Sequence, residues 1–424
     1  MTSRVRVAVR VRPFTSAESK QGTPSCISMA STSTILKLGP TRQFTYDYSF
    51  WSHDGFTEDP DTGAFAKSDE TSQYADQWAV YEAIGEPILN NAEHGFNACI
   101  FAYGQTGSGK SYTMVGNAKN PGLIPLFCQE LFAGISEIDD PSRVVTLEVN
   151  MFEIYNEKIY DLLQADRNSE VDVKETPVGF FFDGLSLQKV ENYKELQEVI
   201  ELGNTKRTIA ATKMNDTSSR AHTIYRLTLT QSSVDRNTGE EFDSLTSEIN
   251  LVDLAGSERV GQTGASGDRF EEGTKINWSL SNLRNVITAL TSKHYHVPYR
   301  DSRLTFILKN ALGGNSKTAM IATISPAVEY GSQTLSTLKY AQQVKFIENK
   351  AIVNIETADP ELARLKQELA SLEEAIRERD RKVAELKLSI SEFREKEFRG
   401  KEKQASLKGS SKSDARSSAC CALF

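Results

Sequence analysis

The stretch that decides the fold runs from Ala98 to Ser111 and reads ACIFAY followed directly by GQTGSGKS. The first part is apolar without alternation, which is typical of a strand buried on both faces of a sheet. The second part has two glycines five positions apart, then Lys110 and Ser111, which is the pattern of a phosphate-binding loop. A strand that leads straight into such a loop predicts an α/β domain built around a nucleotide site.

The residue types in this loop suit the phosphates of ATP and their Mg²⁺. Glycines allow successive backbone N–H groups to turn inward around the phosphates, and the following helix presents its positive end to them. Lys110 would neutralise the β- and γ-phosphate oxygens, and the Ser111 hydroxyl would ligate Mg²⁺. A glycine-rich turn without a ligand is the alternative, which the strand upstream disfavours. The predicted phosphate-binding residues are Gly104, Gln105, Thr106, Gly107, Ser108, Gly109, Lys110 and Ser111.

Two further polar segments are candidates for sensing the γ-phosphate. Residues Asn215–Arg220 read NDTSSR and lie between helix-like and strand-like stretches, so their hydroxyls could complete the magnesium shell. Residues Asp253–Glu258 read DLAGSE and follow the apolar run Ile249–Val252. This order places Asp253 where a magnesium-binding carboxylate belongs, and Gly256 offers an N–H without a side chain. Taken alone, either segment could be an ordinary turn.

Strand-like and helix-like runs alternate along most of the chain with no linker between them. This alternation predicts an α/β fold, with one large domain (residues 1–346) in which helices flank a central, mainly β sheet. The segment Trp51–Gln77 is rich in Asp, Glu, Gly, Ser and Thr and has little periodicity, so we expect a long surface insertion. The strand-like runs are Arg4–Arg12, Ala98–Tyr103, Val144–Tyr155, Thr223–Gln231, Ser247–Leu254 and Thr318–Ile324.

The pattern changes after this domain. Residues 347–358 predict an extended neck linker, and Asp359–Glu361 has the cap, proline and acid that begin a helix. Apolar residues recur at steps of three and four over residues 359–398, which predicts a neck coiled coil and a weak homodimer. Arg379 interrupts the seam, and a helix packed on the domain is the alternative. Residues 399–424 are a basic, serine-rich tail that we expect to be disordered.

Composition limits the classes of protein to which the chain can belong. It has 424 residues, of which 39% are hydrophobic and 25% charged, and a net charge of −8. These values fit a globular protein and exclude collagen-like, wholly disordered and disulfide-stapled chains. No apolar run approaches the roughly 18 residues that cross a bilayer, so we expect a cytoplasmic protein. The acidic net charge disfavours nucleic acid as a partner, and the five cysteines lack the spacing of disulfides or metal ligands.

The last four residues, Cys421–Phe424, match the prenylation pattern, with geranylgeranyl expected for a terminal Phe. Basic residues upstream would add attraction to an anionic membrane. We therefore predict a lipid on Cys421, membrane association and a membrane cargo. A chance match at the end of a truncated chain is the alternative.

Four motifs occur in the order VRVRP (Val9–Pro13), GQTGSGKS, NDTSSRAH (Asn215–His222) and DLAGSE. Together they resemble the kinesin motor domain over about residues 3–355, a P-loop NTPase fold. The stretches YSFWSH (Tyr48–His53) and GKSYTM (Gly109–Met114) are most similar to the kinesin-3 subfamily of organelle transporters.

The resemblance implies an ATP-dependent microtubule motor on the cytoskeleton, directed to the plus end because the neck follows the head. Glu258 would pair with Arg220 as the site closes and would relay the proton of the attacking water. A nucleotide-gated microtubule-binding or scaffold protein without stepping is the alternative. The resemblance implies adenine contacts from Arg10, Arg12, Pro13 and Tyr112, magnesium contacts from Ser111, Ser219 and Asp253, and a hydrolytic group of Ser218, Arg220, Gly256 and Glu258.

The charge pattern between residues 269 and 309 suits an acidic partner. It contains seven Lys and Arg against three acids, a local net charge of +4 on a chain of −8. The resemblance implies that this region packs on tubulin, and a merely solvated helical surface is the alternative. The chain departs from the family at Ala221, at Phe306 and in the short loop Ser292–His296. The predicted microtubule-binding residues are Arg269, Lys275, Arg284, Lys293, Arg300, Arg303 and Lys309.

Overall fold

A computed structural model describes residues 2–138, 140–164, 170–176, 179–213, 220–235, 241–258 and 268–357, together with residues 379, 382 and 383. The first compact unit spans Met1–Ala358, and the second spans Asp359–Phe424. Of the predicted coiled coil, Arg379, Lys382 and Val383 are described, and each is helical. The remainder of the coiled coil, the tail and Cys421 lie outside the described residues, so those assignments stay predictions.

The described part of the first unit contains runs of strands separated by helices. The strands are β1 (Thr2–Arg4), β2 (Arg6–Val11), β3 (Ile27–Ala30), β4 (Ser33–Lys37), β5 (Thr41–Thr45), β6 (Tyr48–Trp51), β7 (Phe56–Glu58), β8 (Phe65–Lys67), β9 (Ala98–Tyr103), β10 (Arg143–Tyr155), β11 (Lys158–Asp161), β12 (Glu170–Thr176), β13 (Gly179–Asp183), β14 (Gln188–Val190), β15 (His222–Val234), β16 (Glu241–Asp253), β17 (Lys317–Ile324), β18 (Glu348–Lys350) and β19 (Ile355–Thr357). The helices are α1 (Ser16–Lys20), α2 (Gln77–Val80), α3 (Glu86–Glu93), α4 (Lys110–Met114), α5 (Leu123–Ser136), α6 (Tyr193–Lys213), α7 (Asp268–Thr291), α8 (Arg303–Ile307) and α9 (Gly331–Val344). A π-helical turn joins α2 to α3. Within the described ranges, none of the helices has the length and apolarity to cross a bilayer.

A twelve-stranded sheet forms the centre of the first unit. Its order is β13-β12-β11-β10-β15-β16-β9-β17-β2-β6, with β14 beside β10 and β19 beside β16. β9 pairs parallel with both β16 and β17, and the parallel pairing continues through β2 to β6. The strands on the other side of β16 pair antiparallel. The predicted α/β fold with a mainly central sheet is therefore confirmed.

Strand β9 is buried on both faces because successive side chains enter two different hydrophobic clusters. Phe101 and Tyr103 pack in the cluster that contains apolar residues of α7, α8 and α9. Ile100 and Ala102 pack in the cluster that contains residues of α3 and α5. Helices thus cover both faces of the sheet, which explains why the strand is apolar throughout instead of alternating.

Two sequence expectations need correction. The N-terminal run Arg4–Arg12 is two strands, because β1 pairs with β18 while β2 joins the central sheet. The segment Trp51–Gln77, predicted as a long surface insertion, is more regular than its low periodicity suggests, since it contains the hairpin β7–β8. Phe56 contacts both Phe65 and Tyr74, with ring centroids 5.0 Å apart in each pair. This aromatic contact anchors the segment, and the low periodicity of its sequence concealed it.

The predicted linker follows the surface of the first unit in an extended conformation. β18 pairs with β1, and β19 pairs with β16. The buried Asn349 amide donates to the carbonyl oxygens of Ala311 at 2.9 Å and Ser316 at 2.8 Å. Asn354 donates from its backbone N–H to Gly95 O at 2.8 Å. These contacts hold the linker on the sheet, while the boundary at residue 346 stays a prediction.

Candidate nucleotide site

The predicted phosphate-binding loop connects β9 to α4. Gly109 directly precedes α4 and has φ 101°, a left-handed conformation that favours glycine. Gly104 lies so close to β17 that a Cβ there would collide with the carbonyl oxygen of Thr323. The two glycines are therefore required for different reasons, one for its backbone conformation and one for its close approach to a neighbouring strand.

Lys110 is held inside this loop. Its side chain is buried, and Nζ donates to the carbonyl oxygens of Gly104 and Gln105, both at 2.9 Å. Burial lowers the pKa of the Lys110 ammonium, and the charges of Asp253 and Glu258 act in the opposite direction. An ammonium carries three donors, so one N–H can still reach a phosphate oxygen. The loop thus holds the Lys110 side chain in a fixed position from which it would meet a bound anion.

Asp253, at the end of β16, meets the first turn of α4. The Ser111 hydroxyl donates to Asp253 Oδ2 at 2.6 Å, and the Arg207 guanidinium donates to the same oxygen at 2.9 Å. The other carboxylate oxygen, Oδ1, is buried and has no hydrogen-bond partner among the described residues. A hydroxyl beside a carboxylate with a spare oxygen is a donor set that Mg²⁺ accepts, directly or through water. These residues therefore fit the predicted ion.

Arg207 is a site residue that sequence analysis missed. It lies on α6, far along the chain from Asp253, and both side chains of this ion pair are mostly buried. Asp253 and the Tyr225 hydroxyl raise the pKa of the guanidinium against the effect of burial. Tyr225 in turn donates to Asn204 Oδ1 at 2.6 Å. No local motif marks Arg207, because its partner is brought to it by the fold.

The DLAGSE segment is attached to the phosphate-binding loop. Ser257 N–H donates to Gly104 O at 3.0 Å, and Thr106 N–H donates to Glu258 Oε2 at 2.8 Å. The Thr106 hydroxyl also donates to Glu258. A Cβ on Gly256 would lie 2.5 Å from both carboxylate oxygens of Glu258, so a larger residue there would displace the Glu258 side chain from this position. In this state the Glu258 carboxylate is engaged by Thr106, and its predicted pairing with Arg220 stays a prediction.

The second phosphate-sensing segment is only partly described. Ser218 and Ser219 lie outside the described residues, so their predicted roles stay predictions. The description resumes at Arg220, followed by Ala221 and His222 at the start of β15. Ala221, where the family pattern has a serine, is 1% exposed. A hydroxyl at that buried position would need its own hydrogen-bond partner.

Arg12 joins the predicted adenine side of the site to the phosphate-binding loop. Its Nε donates to Gly107 O at 2.7 Å. Its two terminal nitrogens donate to the two carboxylate oxygens of Glu18 at 2.7 and 2.8 Å, and one of them also donates to Pro13 O at 2.7 Å. Bidentate pairing of this kind fixes the orientation of a guanidinium. Glu18 is therefore a second residue that sequence analysis missed.

Arg10 and Tyr112 occupy the inner wall of the same region. The Arg10 guanidinium is 3% exposed and lies 5.4 Å from the centroid of the Tyr112 ring. It donates to Ser52 Oγ at 2.9 Å and to Gln77 Oε1 at 2.6 Å. Arg10 thus supports the wall through protein contacts, and its predicted adenine contact, like that of Tyr112, stays a prediction.

The predicted microtubule-binding residues lie on α7, α8 and the segments around them. The side chains of Arg269 and Lys275, both on α7, are outside the described residues. Arg284, further along α7, has its guanidinium 6.0 Å from the ring centroid of Tyr340. Lys293 follows the end of α7 with φ 53°. Arg300, Arg303 and Lys309 lie around α8.

Three of these basic residues are paired with acids from β12, which the local charge count could not include. Lys309 forms an ion pair with Glu175, and Arg300 NH2 lies 3.5 Å from the same carboxylate. Arg303 NH2 lies 3.3 Å from Asp172. The expected net charge of +4 was counted within one segment only, and the hairpin β12–β13 neutralises part of it.

Phe306 explains one departure from the family pattern. It stands where many relatives have a basic residue, and its ring contacts Phe180 on β13, with centroids 5.1 Å apart and planes at 75°. Phe180 is 8% exposed. Edge-to-face aromatic contacts of this kind stabilise packing beyond the area they bury. Phe306 therefore packs α8 against the hairpin β12–β13, which carries Glu175 and Asp172.

Comparison with known proteins gives consistent results. The family model described as kinesin motor domain matches residues 10–347. Kinesin-like protein KIF14 from Homo sapiens is 44% identical over 389 residues, which is 88% of this chain and 23% of that protein. Kinesin-like protein KIF13B from Homo sapiens is 43% identical over 404 residues, 91% of this chain and 21% of that protein. These relatives belong to the kinesin-3 family. The chain thus spans less than a quarter of the length of either relative.

Two solved structures are similar along most of the chain. A KIF14 dimer in a two-heads-bound state with AMP-PNP, in complex with a microtubule, has a TM-score of 0.74 and 44% identity and covers 84% of this chain and 97% of that one. The structure of a fast kinesin has a TM-score of 0.72 and 36% identity and covers 84% of this chain and 96% of that one.

The Arg12–Glu18 pair predicts a pH dependence of stability. Its hydrogen bonds from Arg12 lower the pKa of Glu18 from 4.5 to about 2, against the effect of burial. Because the folded-state pKa is the lower one, the pair stabilises the fold above the unfolded-state value, and this contribution is lost as pH falls from about 4.5 toward 2. We expect Glu18→Gln to lower the urea midpoint at neutral pH, and the gap from the unsubstituted protein to narrow as the solution is acidified.

Glu82→Gln, at an exposed glutamate, is the matched control for this measurement and should leave the midpoint unchanged at every pH. A gap for Glu18→Gln that stays constant on acidification would show that the lost stability does not come from the ionised pair.

Proposed function

We propose, from the premise that this chain belongs to the kinesin motor domain family, that it is a microtubule-stimulated ATPase whose hydrolysis is coupled to movement along microtubules. The observation that carries the proposal is the meeting of Ser111 with Asp253 beside the buried Lys110. This places an anion-binding loop and a carboxylate with a spare oxygen at one point. KIF14, a similar protein, has been solved with AMP-PNP and a microtubule, which supports the same pair of ligands here.

Each of the described residues of the nucleotide site then has a part in binding ATP or in its hydrolysis. Lys110 binds the β- and γ-phosphates, while Ser111 and Asp253 hold Mg²⁺. The Mg²⁺ supplies neutralisation of the charge that develops on the phosphate oxygens. Arg12 orients the loop at Gly107 and borders the adenine.

The hydrolytic step depends on the two segments that follow the phosphates. Glu258 leaves Thr106 to pair with Arg220 when the segment that contains Ser218 and Ser219 closes, and its carboxylate then accepts the proton of the attacking water through solvent. Gly256 presents its backbone N–H to the γ-phosphate. This motion exchanges the hydrogen bonds that Thr106 donates to the Glu258 carboxylate for an ion pair with Arg220.

The direction of movement, the oligomeric state and the kind of cargo are inferred from the sequence. The neck lies C-terminal to the motor domain, which favours movement toward the plus end, and the heptads within residues 359–398 favour a weak homodimer. The basic tail favours attachment to an anionic membrane cargo, and the lipid at Cys421 remains a sequence prediction. Microtubules would place the protein on the cytoskeleton.

ATP turnover measured with and without taxol-stabilised microtubules tests the proposal. We expect turnover to rise with microtubule concentration and to saturate, because the two sites are coupled through one domain. Turnover that is indifferent to microtubules, in a protein that binds both ATP and microtubules, would contradict it.

Substitutions in the site should separate binding from hydrolysis. Lys110→Ala should abolish tight ATP binding, because the buried phosphates lose their monovalent counter-charge. Glu258→Ala should leave binding of a fluorescent ATP analogue nearly intact and reduce turnover on the order of 100-fold, since this group acts on the water and the closed state. The assigned role of Glu258 is wrong if affinity collapses while turnover per bound ATP is unchanged.

The ion pairs of Glu175 predict the strength of microtubule binding. Glu175→Gln would release Lys309 and Arg300 for the acidic surface of tubulin. Because each partly exposed ion pair contributes about 0.2 to 1 kcal/mol and two are released, we expect the Kd for microtubules to fall by about 2- to 30-fold. The fall should be larger at low salt. Cosedimentation at two salt concentrations measures both effects.

Asp183→Asn is the matched control. It makes the same change in net charge on the same hairpin, but Asp183 pairs with Lys174 and not with the α8 region. An equal gain in affinity for both variants would mean that overall charge, and not release of Lys309 and Arg300, is responsible. A weaker Kd for Glu175→Gln would refute the release outright.

A further inference from the structure

We propose that His222 is a positioning residue that couples the DLAGSE segment to helix α7, and through it couples the nucleotide site to the microtubule-binding surface. The inference rests on the proposed function, because it assigns a route by which the microtubule stimulates hydrolysis. It is carried by two hydrogen bonds of one buried imidazole, referred to below as the His222 bridge (Ala255, His222 and Ser279).

The geometry of the bridge assigns each nitrogen a role. Ala255 N–H donates to His222 Nδ1 at 3.0 Å, so Nδ1 carries no proton. His222 Nε2 lies 2.7 Å from Ser279 Oγ. With Nδ1 as acceptor, the neutral ring bears its proton on Nε2 and donates it to Ser279. Both hydrogen bonds of the bridge therefore donate in the same direction, from the DLAGSE backbone to the ring and from the ring to α7.

The ring is held in this neutral form. His222 is 2% exposed, and burial, with the charge of Lys110, lowers its pKa to about 3. A protonated imidazole would have two donors and could not accept from Ala255. The contact with the backbone is thus present throughout the physiological pH range, and changes in the bridge come from movement of the elements and not from titration.

The position of the bridge gives it a consequence for hydrolysis. Ala255 immediately precedes Gly256, and the other side of the same segment is tied to the phosphate-binding loop by Ser257 and Glu258. Ser279 lies on α7, the helix that carries Arg269, Lys275 and Arg284. A displacement of α7 must therefore break the Ser279 contact, turn the imidazole, or move the Ala255 peptide relative to the phosphates. The last outcome changes the geometry around Gly256, and it requires that the Ser279 contact is intact.

Buried polar contacts of this kind are strongly constrained. Ser279 is 2% exposed, so neither partner can exchange the hydrogen bond for water. Coupling between two sites requires an element whose arrangement both sites can bias. The His222 bridge meets that requirement, because it begins at the strand that follows the Asn215–Arg220 segment, touches DLAGSE and ends on α7.

Ser279→Ala is the test, with ATP turnover measured in the absence and in the presence of saturating microtubules. It removes the hydroxyl that accepts from His222 Nε2, without adding volume. We expect the stimulated-to-basal ratio to fall about 2- to 10-fold, the value of losing the His222–Ser279 hydrogen bond, while basal turnover and KM for ATP change by less than about twofold. Ser281→Ala, at an exposed serine on the same helix, is the matched control and should keep the full ratio.

His222→Asn provides the second arm. The Asn amide oxygen can accept from Ala255 in place of Nδ1, but the side chain is too short to reach Ser279. The variant that combines Ser279→Ala with His222→Asn should therefore lower the stimulated-to-basal ratio little more than either substitution alone, because both remove the same contact. Thermal melting of each variant monitors folding.

The possible outcomes distinguish a failure of the coupling role of the His222 bridge from a failure of the proposed motor function. A ratio unchanged in Ser279→Ala, or a parallel fall in basal and stimulated turnover, overturns the coupling role while leaving the motor function intact. An unsubstituted protein whose turnover does not respond to microtubules overturns both.

Discussion

The parallel pairing of β9 with β16 is the constraint on which the rest of the structure depends. It sets Ala102 opposite Asp253, so the phosphate-binding loop and the DLAGSE segment leave the sheet at the same edge. Ser111 and Asp253 then meet at 2.6 Å although they are 142 positions apart. β9 is covered by helices on both faces, which protects this pairing from solvent. A slip by one residue would exchange its two hydrophobic faces.

From that edge, polar contacts extend in two directions. Ser257 and Glu258 attach DLAGSE to the phosphate-binding loop, and His222 attaches it to α7. DLAGSE is thus hydrogen-bonded to the phosphate-binding loop, which would bind ATP, and to α7, which would bind the microtubule. Neither attachment is large in energy, since a single hydrogen bond contributes about 1 kcal/mol. Modest attachments suit a segment that rearranges during hydrolysis in the proposed function, whereas the sheet beneath it stays fixed.

Local sequence patterns predicted those strands and loops whose conformation depends mainly on neighbouring residues. β9 has its predicted bounds, the phosphate-binding loop lies where its glycines placed it, and Asp253 ends its strand. Contacts between distant segments could not be read in this way. Arg207 and Glu18 are ordinary charged residues until the fold supplies Asp253 and Arg12, and the basic character of the α8 region was overestimated because Glu175 and Asp172 come from another strand. Charge counted along a chain is not charge presented at a surface.

The central claim is that ATP hydrolysis at this edge of the sheet is converted into movement. A gliding assay tests it most directly, with the protein fixed to glass and polarity-marked microtubules in solution. We expect steady movement with ATP, in the direction of a plus-end motor, and immobile binding with AMP-PNP. Microtubules that bind, stimulate ATP turnover and yet never move would contradict it, and would identify the protein as a nucleotide-gated microtubule-binding protein instead.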